Sequence, residues 1–213
     1  MTEVLSLKEL ERKAWRSVFQ DGLYDLWLGW LLLQMGIAYL ISQVETTLLE
    51  RTALNLGVYF LSCLALWAGK RFITVPRIGR VKFSPKRGSR LRRLGVVTFI
   101  AVAVTFGFTL LVVIIKSGSP GSSLWQVLAP VAISLLLLVF FSLAAYYLDY
   151  ERLYIIAVMF ALPEILLLLF EELWGIHIGF LAWALPAALV LVMGLITLLR
   201  FLRDYPVLEI PAG

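Results

Sequence analysis

The sequence predicts an all-α fold, a polytopic membrane helix bundle with about six transmembrane helices. Of its 213 residues, 61% are hydrophobic and only 15% are charged, whereas soluble domains carry about a quarter charged residues. The mean hydropathy is +0.91. The apolar residues also gather in runs near the length of about 20 residues that a helix needs to cross a bilayer. Helices satisfy their own backbone groups in lipid, so one helical membrane domain is predicted.

Six apolar runs are predicted to cross the membrane. They are Gly22–Ser42, Thr52–Gly69, Leu94–Ile115, Leu124–Leu148, Leu153–Phe170 and Ile178–Leu199. Any single run would also suit the core helix of a soluble protein, but six in one short chain argue against that alternative. Residues 21–205 are therefore predicted to form the transmembrane domain, and residues 206–213 a C-terminal tail.

The first 20 residues are predicted to form an amphipathic helix ahead of the first crossing. Ser6 and Glu9 have the spacing of a capping box, and Leu5 and Leu10 flank that cap as a hydrophobic staple does. Apolar residues then follow a helical period. Such a helix lies either in the interface of the bilayer or against the protein's own cytoplasmic loops.

A basic stretch at residues 70–93 predicts the orientation of the chain. It holds ten Lys or Arg and no acidic residue, and such residues are retained on the cytoplasmic side. With six crossings and both termini inside, 17 of the 19 basic residues lie on the cytoplasmic side, and only Arg51 and Lys116 lie outside. The predicted topology is N-in/C-in.

The same stretch is predicted to contain a short β-hairpin at residues 72–83. Pro76 and Gly79 are turn residues, and on the second arm Arg80 and Lys82 alternate with apolar residues. A basic face would attract anionic headgroups, with about 1 kcal/mol from each cation. The candidate lipid contacts are Arg77, Arg80, Lys82, Lys86 and Arg87. The alternative is a solvated loop, and no nucleic-acid partner is expected for a short stretch tethered at the bilayer.

Two acids mark the start of the first crossing. Asp21 and Asp25 are four residues apart and share a helix face, while Gly22, Gly29 and Gly36 repeat every seven residues. A glycine stripe lets a neighbouring backbone approach closely, and Asp25 lies about 60° from the stripe. The acids either complement the helix dipole, paired to an arginine of the basic stretch, or form a cation or proton site at the cytoplasmic mouth.

Glu164 is the acid that the pattern places deepest in the membrane. It follows Pro163 and precedes Glu171 by seven residues, or about 10 Å of helix rise. Intramembrane ionisable residues usually face the bundle interior, and many are functional. A proton relay, a substrate contact and a buried hydrogen bond to Asn55 or Gln34 all fit. The candidate intramembrane polar site therefore comprises Glu164, Asp25, Asp21, Asn55 and Gln34.

Motifs of classical site chemistry are missing from the sequence. It contains no phosphate-binding loop, no zinc-protease motif, no G-x-S-x-G and no cysteine pair. Glu171, Glu172 and the single histidine, His177, match no metal-ligand spacing and are interpreted as interfacial polar groups. No catalytic residue, metal or cofactor is predicted.

Three segments carry a resemblance to a known group of proteins. They are "FQDGLYDLWLGWLLL", "ITVPRIGRVKF" and the closing "RFLRDYP". Together they resemble small prokaryotic six-helix membrane proteins with a PRxGxVxF inner-loop element and no assigned function. The resemblance implies a multi-pass protein of a prokaryotic cytoplasmic membrane, and nothing about substrate or catalysis.

Three functions fit the sequence. The first is a small transporter or channel-like protein, proton-linked through Glu164, which a buried acid and the helix prolines Pro163 and Pro186 favour. The second is a non-catalytic accessory or lipid-interacting membrane protein, which short loops favour. The third and least favoured is a lipid-modifying enzyme. Membrane lipids, including anionic headgroups, are the expected partners, and a homo-oligomer or another membrane protein is left open.

Overall fold

A computed structural model describes residues 19, 21–44, 47–78, 92, 95–96, 104, 107 and 123–206. The helices are α1 (Leu23–Ser42), α2 (Leu48–Gly69), α3 (Val75–Ile78), α4 (Ser123–Leu148), α5 (Arg152–Leu167) and α6 (Gly179–Asp204), with π-helical turns at Lys70–Thr74 and Leu168–Leu173. The described part is all-α and contains no strand.

Five stretches of described helix are long and apolar enough to cross a membrane. They are Leu23–Ser42, Leu49–Arg77, Val127–Leu148, Arg152–Glu171 and Gly179–Asp204. They coincide with five of the six predicted crossings, and the chain is a multi-pass membrane protein. The predicted crossing Leu94–Ile115 lies outside the described residues except at four positions. The predicted amphipathic helix over residues 1–20, apart from Phe19, and the tail after Pro206 also lie outside them.

The prediction of a β-hairpin is wrong for residues 72–78, which are helical. The helix of α2 continues through the π-helical turn Lys70–Thr74 into α3 without a break at Pro76. Val75 donates its backbone N–H to the carbonyl of Lys70, five residues back. A π-turn widens the helix ahead of the proline, and Pro76 stands in the first turn of α3, where a missing N–H is tolerated. Residues 79–83 lie outside the described part.

Helices α1 and α6 form the most extensive contact in the bundle. A Cβ atom added at Gly22 would lie 2.5 Å from the carbonyl oxygen of Gly194, and one at Gly29 would lie 2.9 Å from the side chain of Leu191. Gly36 faces Trp183 in the same way. The predicted glycine stripe is confirmed, because each of its members lets the backbone of α6 approach α1.

The apolar core lies between α1, α4, α5 and α6. Leu32, Ile156, Ala187 and Val190 are almost fully buried in one cluster. Helix α2 packs mainly on α1, and most of its side chains are exposed. It begins at a capping box, in which Thr47 accepts from the N–H of Glu50 at 3.3 Å and the Glu50 carboxylate accepts from the N–H of Thr47 at 2.9 Å. Among the described helices, α1, α4, α5 and α6 therefore form a dense part, and α2 is the one that packs more loosely on it.

Candidate functional site

A cluster of buried charged and polar side chains occupies the end of the bundle where α1 begins. We call it the ion-pair cluster, and its members are Asp21, Asp25, Lys70, Thr74, Tyr150, Arg152 and Thr197. They come from the start of α1, the π-turn after α2, the turn between α4 and α5, and the last turns of α6. Both carboxylates are fully buried at 0% exposure.

Asp21 joins the start of α1 to the end of α2. Its Oδ2 accepts from Lys70 Nζ at 2.6 Å and from Thr74 Oγ1 at 2.5 Å. Its Oδ1 accepts from the backbone N–H of Leu23 at 3.1 Å, so it also caps α1. The ammonium group of Lys70 lies 4.1 Å from the ring centroid of Tyr24, a cation–π contact. The predicted arginine partner is therefore replaced by the lysine that opens the basic stretch.

Asp25 joins α1 to the turn between α4 and α5. Its Oδ2 accepts from Arg152 Nη1 at 2.7 Å, and its Oδ1 accepts from the hydroxyl of Tyr150. Arg152 also donates to Thr197 Oγ1 at 2.6 Å and to the carbonyl of Phe19 at 2.8 Å. One guanidinium thus holds α1, α5 and α6 together, and planar donors suit arginine to this task.

The chemistry of the ion-pair cluster favours a structural role over the predicted cation or proton site. Each buried carboxylate has a cation within 2.7 Å, so the two acids are balanced in charge. A buried charge that is paired and hydrogen-bonded escapes most of the cost of burial. Binding another cation would require one of these pairs to open.

Sequence reasoning found the two acids of this cluster but missed most of their partners. Arg152 entered the sequence analysis only as one of the 17 basic residues predicted on the cytoplasmic side, and Tyr150, Thr74 and Thr197 were not singled out. The available signal was Arg152 itself, a basic residue next to an apolar run, in a chain whose first crossing begins with the acids Asp21 and Asp25. Its partner lies 127 residues away along the chain, a distance that no local pattern spans.

Gln34 and Asn55 lie together, but Glu164 makes no hydrogen bond to either. The Gln34 side chain donates from Nε2 to the backbone carbonyl of Asn55 at 3.2 Å. Gln34 is 3% exposed, and its Oε1 is buried without a donor in the described part of the chain. The predicted bond from Glu164 to Gln34 or Asn55 is not formed. Half-buried near the end of α5, ahead of the π-helical turn Leu168–Leu173, the Glu164 carboxyl has no hydrogen bond or ion pair with any described residue.

The helix register brings three prolines to the depth of Glu164. Ser134 contacts Ala161 across α4 and α5, which places Pro130 opposite residue 165. Arg152 contacts Thr197 across α5 and α6, and eleven residues further into the bundle Pro163 stands opposite Pro186. From the contact of Gly29 with Leu191, Gln34 also falls opposite Pro186.

This level of the bundle, which we call the proline layer, comprises Gln34, Pro130, Pro163, Glu164 and Pro186. A proline removes an N–H and leaves the carbonyl one turn earlier without its helical donor. The layer therefore brings the orphan amide oxygen of Gln34 and the carboxyl of Glu164 to one depth, among helices that each carry a proline.

Glu171 stands at the opposite end of the bundle and ties three elements together. Its Oε1 accepts from the backbone N–H of Gly179 at 2.8 Å, at the start of α6, and from the hydroxyl of Tyr39 at 3.4 Å. It therefore caps α6 and anchors the end of α1. His177 is exposed, and the described residues include no cluster of three metal-ligating side chains.

An apolar groove of about 560 Å³ runs between α1 and α2, and we call it the α1–α2 groove. Its walls are formed by Leu23, Leu26, Trp27, Trp30, Val58, Leu61, Ser62, Ala65, Leu66 and Leu191. The sequence analysis did not predict the groove, because an apolar run does not show how closely its helix packs on the next one.

Among the predicted lipid contacts, Arg77 is described and the others, Arg80, Lys82, Lys86 and Arg87, lie outside the described residues. Arg77 donates from Nη1 to the carbonyl of Ile73 at 2.9 Å.

Comparisons with models of protein families, with curated proteins and with solved structures found no match. A function therefore has to be argued from the geometry of the chain itself.

Proposed function

We propose that the protein is a small transporter or channel-like protein that uses the carboxyl of Glu164 to bind and release protons within the membrane. It would lie in the cytoplasmic membrane of a prokaryote with six crossings and both termini inside. The distribution of basic residues supports this topology, and the resemblance of the sequence motifs supports the location.

One observation carries the proposal. Asp21, Asp25 and Glu171 each have partners within 2.8 Å, while the Glu164 carboxyl has none among the described residues. A carboxyl without a counter-ion exchanges a proton without breaking an ion pair. Ionisable residues in this position mark proton relays and substrate paths in membrane proteins. The difference in partners separates Glu164 from the acids that hold the fold.

The proline layer supports the same function. Pro163 and Pro186 are almost fully buried, and they lie within the adjacent helices α5 and α6 at the depth of Glu164. Kinked or broken helices surround the binding sites of many transporters. A proton on Glu164 would thus lie at the level of the orphan amide oxygen of Gln34.

Infrared difference spectroscopy between acid and alkaline pH tests whether Glu164 exchanges protons. Wild-type protein in proteoliposomes should show the carbonyl band of a protonated carboxyl group, and Glu164→Gln should lose that band. Glu171→Gln, on the same helix, should keep it. Identical difference spectra for the wild type and Glu164→Gln would overturn the role of Glu164.

Proton movement is tested in the same proteoliposomes with a trapped pH-sensitive dye and an imposed potassium diffusion potential. We expect proton uptake by the wild type, uptake by Glu171→Gln at a similar rate, and loss of uptake in Glu164→Gln with the fold retained. Uptake that is unchanged in Glu164→Gln would mean that the residue serves packing alone.

A further inference from the structure

The α1–α2 groove is apolar along its whole length. Its one hydroxyl, on Ser62, accepts from the indole N–H of Trp27 at 3.3 Å and donates to the carbonyl of Tyr59 at 2.7 Å. The hydroxyl of Ser62 and the indole N–H of Trp27 are therefore satisfied, and the rest of the wall is apolar apart from the indole N–H of Trp30, so the groove suits an apolar ligand. Trp30 and Leu61 are 39% and 64% exposed, so the groove is open to the lipid that surrounds the bundle.

The length of the groove suits an acyl chain of one leaflet. It runs along α1 from Leu23 to Trp30, about 10 Å of helix rise, which is within the half-thickness of about 15 Å of the hydrocarbon core.

Positive charge follows at one end of the groove. Leu23 and Leu66 close that end, where the side chain of Leu23 packs against Gly69. The next residue is Lys70, whose charge Asp21 balances at 2.6 Å. Arg71 is exposed, and the described residues supply no carboxylate to it or to Arg77. The Nε atom of Arg77 is buried without an acceptor in the same part of the chain.

We propose that the α1–α2 groove binds one acyl chain of an anionic phospholipid, whose headgroup lies at Arg71 and Arg77. The apolar wall would hold the chain, and the two guanidinium groups would donate to the phosphate, which arginine binds with paired N–H groups. The lipid belongs to the leaflet at the ion-pair end, because the groove runs from that end toward the middle of the membrane. The proposal is independent of Glu164.

Photolabelling in lipid nanodiscs tests the site directly. The probe is phosphatidylglycerol with a diazirine on one acyl chain, and labelled residues are located by peptide mass spectrometry. In the wild type, Leu61 and Ala65 in the groove should be labelled several-fold more than Leu64 and Leu189. Those two are also exposed and apolar, but they do not line the groove.

Matched variants separate a filled groove from a general change in the surface. Ala65→Trp places an indole in the groove and should reduce groove labelling several-fold. Cys63→Trp adds similar bulk at the same depth on an exposed position outside the groove, and should leave the labelling of Leu61 unchanged. Equal labelling of groove and non-groove residues in the wild type would overturn the proposal, since bulk lipid alone gives that result.

The headgroup is tested with phosphatidylcholine that carries the same photoreactive chain. We expect several-fold less groove labelling than with phosphatidylglycerol, and we expect Arg71→Gln with Arg77→Gln to remove the difference. Equal labelling by both lipids would overturn the anionic headgroup. The lipid site would also be overturned if groove residues were not labelled and Ala65→Cys formed a disulfide with a cysteine introduced in residues 94–115. That result would mean that the segment 94–115 of the same chain covers the groove.

Discussion

The ion-pair cluster and the proline layer differ in the partners of their carboxyl groups. In the cluster, Asp25 accepts from Arg152 and Tyr150 and is fully buried. In the layer, Glu164 is half-buried and has no partner among the described residues. The two regions belong to the same helices, so the difference lies in the side chains that face each acid.

The contrast teaches that an acid in a membrane helix is not by itself evidence of a site. A carboxylate with a fixed cation is costly to disturb and stabilises one arrangement of the helices. A carboxyl group without a fixed cation can gain or lose a proton without breaking an ion pair. Four substitutions are taken from the largest expected effect to the smallest: three test whether the two regions differ in this way, and Gly22→Ala tests the helix packing that holds both of them.

Arg152→Gln should be the most damaging change. It leaves the buried Asp25 without its cation and removes the bonds to Thr197 and Phe19, and we expect the free energy of unfolding to fall by about 3 kcal/mol. Denaturation in mixed micelles measures it. The control is Arg203→Gln, whose pair with Asp204 is largely exposed and should contribute little. Equal effects of both variants would mean that the cluster does not hold the helices.

Gly22→Ala should destabilise the bundle by about 2 kcal/mol. Gly22 has a φ of +75°, and an added Cβ would meet the Gly194 carbonyl at 2.5 Å, so strain and overpacking combine. Gly57→Ala is the matched control, because its Cβ would meet nothing within 4 Å and alanine is the better helix former. We expect Gly57→Ala to raise the thermal unfolding temperature while Gly22→Ala lowers it. The opposite order would contradict the close packing of α1 on α6.

Tyr150→Phe should cost about 1.5 kcal/mol in the free energy of unfolding. It removes the hydroxyl that donates to Asp25 and keeps the ring that stacks on Phe19 at 5.1 Å between centroids, so the loss is that of one bond to a charged acceptor. Tyr146→Phe, at a position that is 71% exposed, should be neutral under the same denaturation assay. A neutral Tyr150→Phe would show that Arg152 alone compensates Asp25.

Glu164→Gln should change stability least, by less than about 0.5 kcal/mol. No described partner is lost, and the amide has nearly the shape of the acid. Asp25→Asn is the paired experiment, because the same chemical change there removes the charge that Arg152 faces. Denaturation of both variants side by side gives the contrast. A loss at Glu164 as large as that at Asp25 would erase the distinction between the two regions.

Local patterns predicted most of the helices but not their partners. The run of apolar residues placed five crossings, and the seven-residue spacing of Gly22, Gly29 and Gly36 identified a packed face, because both depend on residues close in sequence. The rule that proline ends a helix failed at Pro76, since the π-turn Lys70–Thr74 widens the helix ahead of the proline. The pairing of Asp25 with Arg152 depends on tertiary contact alone and could not be predicted.

The packing of α1 on α6 has a consequence for biosynthesis. Helix α1 finds its main partner in α6, which is synthesised much later, since Gly22 meets Gly194 and Leu198. At a synthesis rate of about 5–20 residues per second, the intervening chain takes about 9–34 s to appear. During that interval Asp21 gains Lys70 early, while Asp25 waits for Arg152. Helix α1 therefore spends that interval without the contact to α6 against which its glycine face packs.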